Sequence, residues 1–307
     1  MTMNIYRVGD ATVTRIPELD FDGVDPAALY PDLDPAALAD DGPQLTAASY
    51  DPVNGRLNQS IHSWLVRVPG HVILVDTATG NGKDLPSAPR LDHLDEPYLE
   101  RLAAAGVAPE EVDTVLLTHI HADHVGWNTR RESGRWVPTF PRARHVFSRV
   151  EQRYNAALSG GEPAPDLPPP ALGRPARMPT PGVYAESMVP IIAAGLAEPI
   201  DVDGCDVLDG FSFHPTPGHS IDHASIRLRS RGEEAWFLGD VMHHPLQVYR
   251  PDLRSCYCEF PDPARASRLR MLEQVAAAGA LCFTTHFAET SAGRVIGRDG
   301  GFRWQFT

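Results

Sequence analysis

Three histidines and an aspartate crowd into six positions of this chain, His119-Ile120-His121-Ala122-Asp123-His124. Neutral imidazole and carboxylate are good ligands for zinc and its first-row neighbours. The run leaves an apolar stretch, Val112 to Thr118, that reads as a strand. On such a turn His119 and His121 can reach one ion, and the adjacent Asp123 and His124 can swing onto a second. A solvated polar turn is the bland alternative. Four donors from one turn leave two ions under-coordinated, so further ligands must come from elsewhere. Three residues stand in matching settings. They are His219 in Pro217-Gly218-His219-Ser220, Asp240 in Leu238-Gly239-Asp240, and His286 in Thr284-Thr285-His286-Phe287. Each follows a predicted strand, where loops converge to build sites.

The elements that must position these groups can be read along the chain. Asn4 to Glu18 alternates and breaks at Gly9-Asp10, the pattern of a hairpin. The repeated Asp-Pro-Ala-Ala-Leu at 25–29 and 34–38 pairs a capping Asp with Pro at the first helical position, so two short helical turns are expected. Ile61 to Val68 and His71 to Asp76 are strands around Pro69-Gly70. Pro97 to Ala105 has helical spacing and stops at Gly106. Further strands are expected at Arg144–Ser148, Gly210–Pro215, Ala224–Ser230, Ala235–Leu238 and Leu281–Thr285. A helix over Pro263 to Ala278 is expected to be capped by Asp262. Residues 160–190 hold nine prolines, which argues against regular structure there. A linker between two domains and a long loop within one domain both fit. We read a loop serving as a lid over a site.

Composition sets outer limits. The 307 residues carry 27 Lys plus Arg against 40 Asp plus Glu, a formal charge of −13. Such a balance opposes a nucleic-acid backbone as partner, because that binding rests on clustered cations. No run of apolar residues is long enough for a membrane span. No leader pattern opens the chain at Met1 to Asp10, so a cytoplasmic location is expected. Cys205, Cys256, Cys258 and Cys282 are too few for a disulfide scaffold. Neither a Gly-x-Ser-x-Gly elbow nor a phosphate-binding loop is present. Gly80-Asn81-Gly82-Lys83 fails the latter pattern, with Thr77 where its first Gly belongs.

The run from His119 to His124, with His219, Asp240 and His286 downstream, resembles the metallo-β-lactamase superfamily of hydrolases, from about Gln59 to the end of the chain. That resemblance implies an α/β (α+β) fold, a four-layer αβ/βα sandwich of two mixed sheets with outer helices. It implies one domain over 1–307, with an N-terminal arm at 1–55 and a Pro-rich insertion or lid at about 130–190. It further implies that His119, His121 and His219 hold one divalent ion and that Asp123, His124 and His286 hold the other. Asp240 would bridge both. Zinc is the leading metal, with manganese, cobalt or iron as alternatives. Asp at 240, where Cys would mark the antibiotic-degrading enzymes, looks like the hydroxide-bridged branch.

A bridging hydroxide would attack the substrate, and Asp123 or Asp240 would shuttle a proton to the leaving group. Asp76 matches a strand-ending Asp of the family and is read either as orienting a ligand His or as an ordinary turn residue. The branch looks like lactonases and methyl-parathion hydrolase. Acyl-homoserine lactonases commonly carry Tyr three residues after the bridging Asp, and here that position is His243. His243 is thus a candidate donor to substrate or a packing residue. Trp127, Phe287 and residues of the Pro-rich loop are candidates for an apolar pocket wall on position, although aromatic residues near such a turn are more often core. The expected activity is hydrolysis of a small, largely apolar lactone, ester or phosphotriester. Alternatives are a glyoxalase-II-like thioesterase, a nuclease, or a non-catalytic metal-binding protein. The expected partner is a small molecule, with neither nucleic acid nor membrane, and a homodimer through the arm is plausible by resemblance.

Overall fold

A computed structural model describes residues 4–307. Two strands open the chain, β1 (Ile5–Val8) and β2 (Ala11–Val24), joined in an antiparallel hairpin through Gly9 at φ 56°. Along β2, Ala11, Val13 and Ile16 are each fully buried. Asp25 and Asp34 then cap α1 (Pro26–Leu29) and α2 (Pro35–Asp41) by accepting from Ala27 N and Ala36 N. Both short helical turns are as the repeat predicts. The small strand β3 (Tyr50–Asp51) pairs with β4 (Arg56–Val68), which turns at Pro69-Gly70 into β5 (His71–Val75). Helix α3 (Tyr98–Ala104) stops before Gly106, which sits at φ 76° where a side chain would be strained. Strand β6 (Thr114–Leu116) lies parallel to β5, and α4 (Ala122–Val125) follows closely.

A separate ribbon is formed by β7 (Thr129–Glu132) and β8 (Arg135–Pro138). Then come β9 (Arg144–Ser148), α5 (Arg149–Leu158), α6 (Val189–Ala193) and β10 (Ala197–Ile200). The first sheet runs β1-β2-β4-β5-β6-β9-β10, antiparallel at its start and parallel from β5 onward. The second sheet comprises β11 (Asp206–Leu208), β12 (Phe211–Pro215), β13 (Ala224–Ser230), β14 (Glu233–Phe237), β15 (Leu281–Phe283), β16 (Ala292–Arg298) and β17 (Gly301–Phe306). It runs in that order, antiparallel except where β14 meets β15. Between those two strands lie α7 (Leu246–Tyr249) and α8 (Pro261–Ala278), which make the parallel crossover. Mixed sheets with interspersed helices are the expected class.

The chain divides into two compact units. One holds residues 4–19, 61–171 and 178–202, the other 20–60, 172–177 and 203–307. In the second unit α8 lays Met271, Leu272 and Val275 against Trp236, Cys282, Val295 and Trp304. Residues of the N-terminal arm join a second cluster there, in which Leu29, Tyr30, Leu38 and Leu57 pack with Leu246 and Leu253. Three expectations need correction. Asp262 lies inside the first turn of α8, and Phe260 takes the cap position. The Pro-rich stretch is helical at Tyr184–Met188 and in α6, where Pro190 falls in the first turn and needs no N–H partner. Strands β16 and β17, joined at Asp299-Gly300, extend the second sheet past the last strand expected.

Candidate metal centre

In the first unit the His-rich run leaves the carboxyl end of β6 beside Asp76, which ends β5 at φ 56°. Asp76 Oδ1 accepts from Thr118 N at 2.8 Å. Its Oδ2 accepts from Thr118 Oγ1 at 2.9 Å and from His124 Nδ1 at 2.9 Å. These bonds decide two tautomers. With its Nδ1 proton on Asp76, His124 keeps its lone pair on Nε2. The Thr118 hydroxyl has given its one proton to Asp76, so at 3.0 Å it accepts from His119 Nδ1. His119 therefore also presents Nε2 as a ligand atom. The His119 ring lies 4.5 Å from that of His121 and 4.0 Å from that of His124, centroid to centroid. Asp123 places Oδ2 at 3.8 Å from His124 Nε2, with its side chain 21% exposed. Asp76 is thus an orienting residue, as one of its two readings had it.

In the second unit the three expected residues follow β12, β14 and β15 and meet around one oxygen. Asp240 Oδ2 lies 3.2 Å from His219 Nε2, 3.0 Å from His286 Nε2 and 3.4 Å from His243 Nε2. All four residues are buried. His286 Nδ1 donates to Ser60 O at 3.0 Å, which leaves its lone pair on Nε2, facing the carboxylate. A lone pair and a carboxylate oxygen repel at this distance unless a proton or a metal cation lies between them. The donor chemistry therefore suits a divalent metal. Cys258 lies nearby but is a neutral thiol, since burial pushes its pKa up to about 12. Its Sγ lies with a ring nitrogen of His219 and of His243 in a trio of donor atoms within 4.8 Å of one another.

Several supporting residues are invisible in the sequence pattern. His223 Nε2 accepts from Asp240 N at 2.9 Å, and its Nδ1 donates to Thr216 Oγ1 at 2.8 Å. His243 has its backbone held by Gln247 Oε1, which accepts its N–H at 2.8 Å, and by Gln59 Nε2, which donates to its carbonyl at 2.7 Å. Burial pulls the His243 pKa down, against the opposing pull of Asp240. Its ring packs 5.4 Å from Tyr257 and 5.6 Å from His286. Trp127 and Phe287 are core residues, the commoner of their two readings. Trp127 stacks on Tyr98 at 5.1 Å and donates to Glu18 Oε1. Phe287 meets Trp304 edge-on at 5.0 Å.

The profile of the metallo-β-lactamase superfamily matches residues 58–286, which include every candidate ligand. The chain belongs to this superfamily. The metal-dependent hydrolase expected from the His-rich run agrees with that membership. Among solved structures, the hydrolase AbOPH of the beta-lactamase superfamily is 25% identical, with a TM-score of 0.77 over 99% of this chain and 97% of that one. AidC, a dizinc quorum-quenching lactonase in complex with a product, shares the fold at 19% identity and TM-score 0.77, again over 99% and 97%. A probable metal-dependent hydrolase from Staphylococcus aureus shares it at 17% identity and TM-score 0.72, over 98% and 99%. A curated relative, ribonuclease Z of Mycobacterium avium (strain 104), is 39% identical over 83 residues, 27% of this chain and 24% of that protein. The chain thus matches only a quarter of the length of that relative. No helix among the described residues is long and apolar enough to cross a membrane.

Proposed function

We propose that the protein is a dinuclear metal-dependent hydrolase of a small, largely apolar lactone, ester or phosphotriester. In this reading His119, His121 and His219 hold one ion, Asp123, His124 and His286 hold the other, and Asp240 bridges them. The observation that carries it is the Asp240 carboxylate oxygen faced by the Nε2 atoms of His219 and His286. Divalent ions bound there would supply Lewis acidity and bring the pKa of a water from near 16 toward about 7. Zinc suits the His and Asp donors, and manganese, cobalt or iron are the alternatives.

The chain's own residues supply the rest. Asp76 and Thr118 keep Nε2 of His124 and of His119 available by holding the Nδ1 protons. Ser60 does the same for His286. Asp123, the partly exposed carboxylate of the set, can carry a proton between solvent and the leaving group. Asp240 is the second candidate for that transfer. His243 faces Asp240 at 3.4 Å and would donate to the substrate oxygen or hold Asp240 in place. The formal charge of −13 favours neutral or cationic substrates. The lactonase relatives, among them AidC, support a lactone or ester.

A nuclease is the second reading, favoured by the 83-residue likeness to ribonuclease Z and opposed by the acidic charge balance. One panel separates them. Lactones, aryl esters, phosphotriesters, a thioester and a structured RNA would be assayed with zinc, manganese and cobalt. Turnover of a lactone, ester or phosphotriester above the rest is expected. Turnover confined to the thioester or the RNA rejects the proposed substrate class.

A further inference from the structure

Three of the candidate ligand imidazoles engage an oxygen through the far ring nitrogen: His119 on Thr118 Oγ1, His124 on Asp76 Oδ2 and His286 on Ser60 O. His219 differs. Its Nδ1 lies 3.8 Å from Cys258 Sγ, while its Nε2 lies 3.2 Å from Asp240 Oδ2. The two ring nitrogens are thus engaged on opposite sides. For Nε2 to offer a lone pair, Nδ1 must carry the proton, so the sulfur is the acceptor.

Cys258 is not a chance neighbour. The segment that carries it grips the loop of His219 through the backbone. Glu259 N donates to His219 O at 2.9 Å and Phe260 N donates to Gly218 O at 2.8 Å. Gly218 sits at φ 124°, and a Cβ there would come within 2.0 Å of Ala264 N. Cys258 is itself set by its amide donating to Ser255 O at 3.2 Å. One short stretch therefore fixes both the backbone and the ring of His219. Both side chains are buried at 2% exposure.

We propose that Cys258 is the positioning residue for His219, its sulfur accepting the Nδ1 proton and so turning Nε2 toward Asp240. This rests on the dinuclear reading above, and it goes beyond it by assigning a thiol to a task that oxygens perform for the other rings. Sulfur is a weaker acceptor than the oxygens that serve the other rings.

The test is a titration of the metal-stripped full chain with zinc, followed by calorimetry. Cys258→Ala and the volume-keeping Cys258→Val are compared with Cys282→Ala, which removes an equally buried thiol in the core. Loss of an orienting partner costs about 10–100-fold in metal affinity. The expected result is a fall of about that size in one of two binding steps for both Cys258 variants, with the other step and Cys282→Ala unchanged. Equal weakening by Cys282→Ala, or unchanged binding in the Cys258 variants, overturns the proposal. So does a thiolate-to-cobalt charge-transfer band that vanishes in Cys258→Val, because Cys258 would then be a ligand. Uptake of a single ion by the wild type would sink the dinuclear reading, and the Cys258 effect would still be read on that ion. Uptake of none overturns both.

Discussion

Replacing Asp76 by Asn should weaken metal binding while leaving the protein folded. The carboxylate accepts three bonds, from Thr118 N at 2.8 Å and from Thr118 Oγ1 and His124 Nδ1 at 2.9 Å each. An amide at this place keeps one oxygen and can retain the bond from Thr118 N. Its NH2 then faces His124 Nδ1–H and the Thr118 hydroxyl, donor against donor. His124 relieves the conflict by moving its proton to Nε2, so that Nδ1 accepts from the amide. That removes the lone pair the ion needs. Thr118 loses its acceptor too, which loosens the tautomer of His119. A supporting-residue change of this kind costs about 10–100-fold in metal affinity, or about 1.4–2.7 kcal/mol. Asp76→Ala leaves all three buried donors without an acceptor and should cost stability as well, about 1–3 kcal/mol per orphaned group before relaxation. Competition with a chelator measures the first effect, and thermal unfolding of the metal-free chain measures the second. Nitrogen-15 spectra report the tautomer directly. Wild-type affinity in Asp76→Asn, or an Nδ1–H tautomer retained at His124, would mean that Asp76 does not set the His124 tautomer.

Two further outcomes follow from the first unit. Lys83 is buried, with Nζ 2.7 Å from Thr129 Oγ1 and 3.7 Å from the Trp136 ring centre, and burial lowers its pKa to about 7 against a mild raising pull from Glu186. Between about pH 7 and 10.5 the unfolded chain binds the proton that the folded chain has released, so stability should rise with pH by up to about 1.4 kcal/mol per unit. Lys83→Met should remove this slope in urea unfolding series at matched pH, and an unchanged slope would place the lysine's titration outside that window. Gly126→Ala should prevent folding or lower the melting temperature sharply, because a Cβ there would lie 1.7 Å from Thr79 O, in backbone that cannot give way. A variant melting like the wild type would contradict that packing.

The candidate ligands were legible because metal chemistry is local. Closely spaced His and Asp after a strand declare themselves, and strand-end positions marked His219, Asp240 and His286. Their supports were not legible, since these depend on which side chains face one another through space. His223 stands four residues after His219, yet nothing in that spacing says that it accepts the Asp240 amide. Cys258 looked like one of a few scattered thiols until its sulfur was placed beside His219. Some misses had a readable signal. Ser148 with Glu151 three residues on announces the start of α5, where the serine accepts from Val150 N and Glu151 N. Asp299-Gly300 announces the β16–β17 turn, with Gly300 at φ 77°. Proline counting misled at 184–193, because a proline within the first turn of a helix is harmless.

In the proposed centre two ions are held across Asp240. The most direct measurement is metal content per chain, alongside hydrolysis, for the wild type and Asp240→Ala. About two ions per chain are expected in the wild type, with both occupancy and turnover lost in the variant. An Asp240→Ala protein that keeps its ions and its activity would contradict that bridging role.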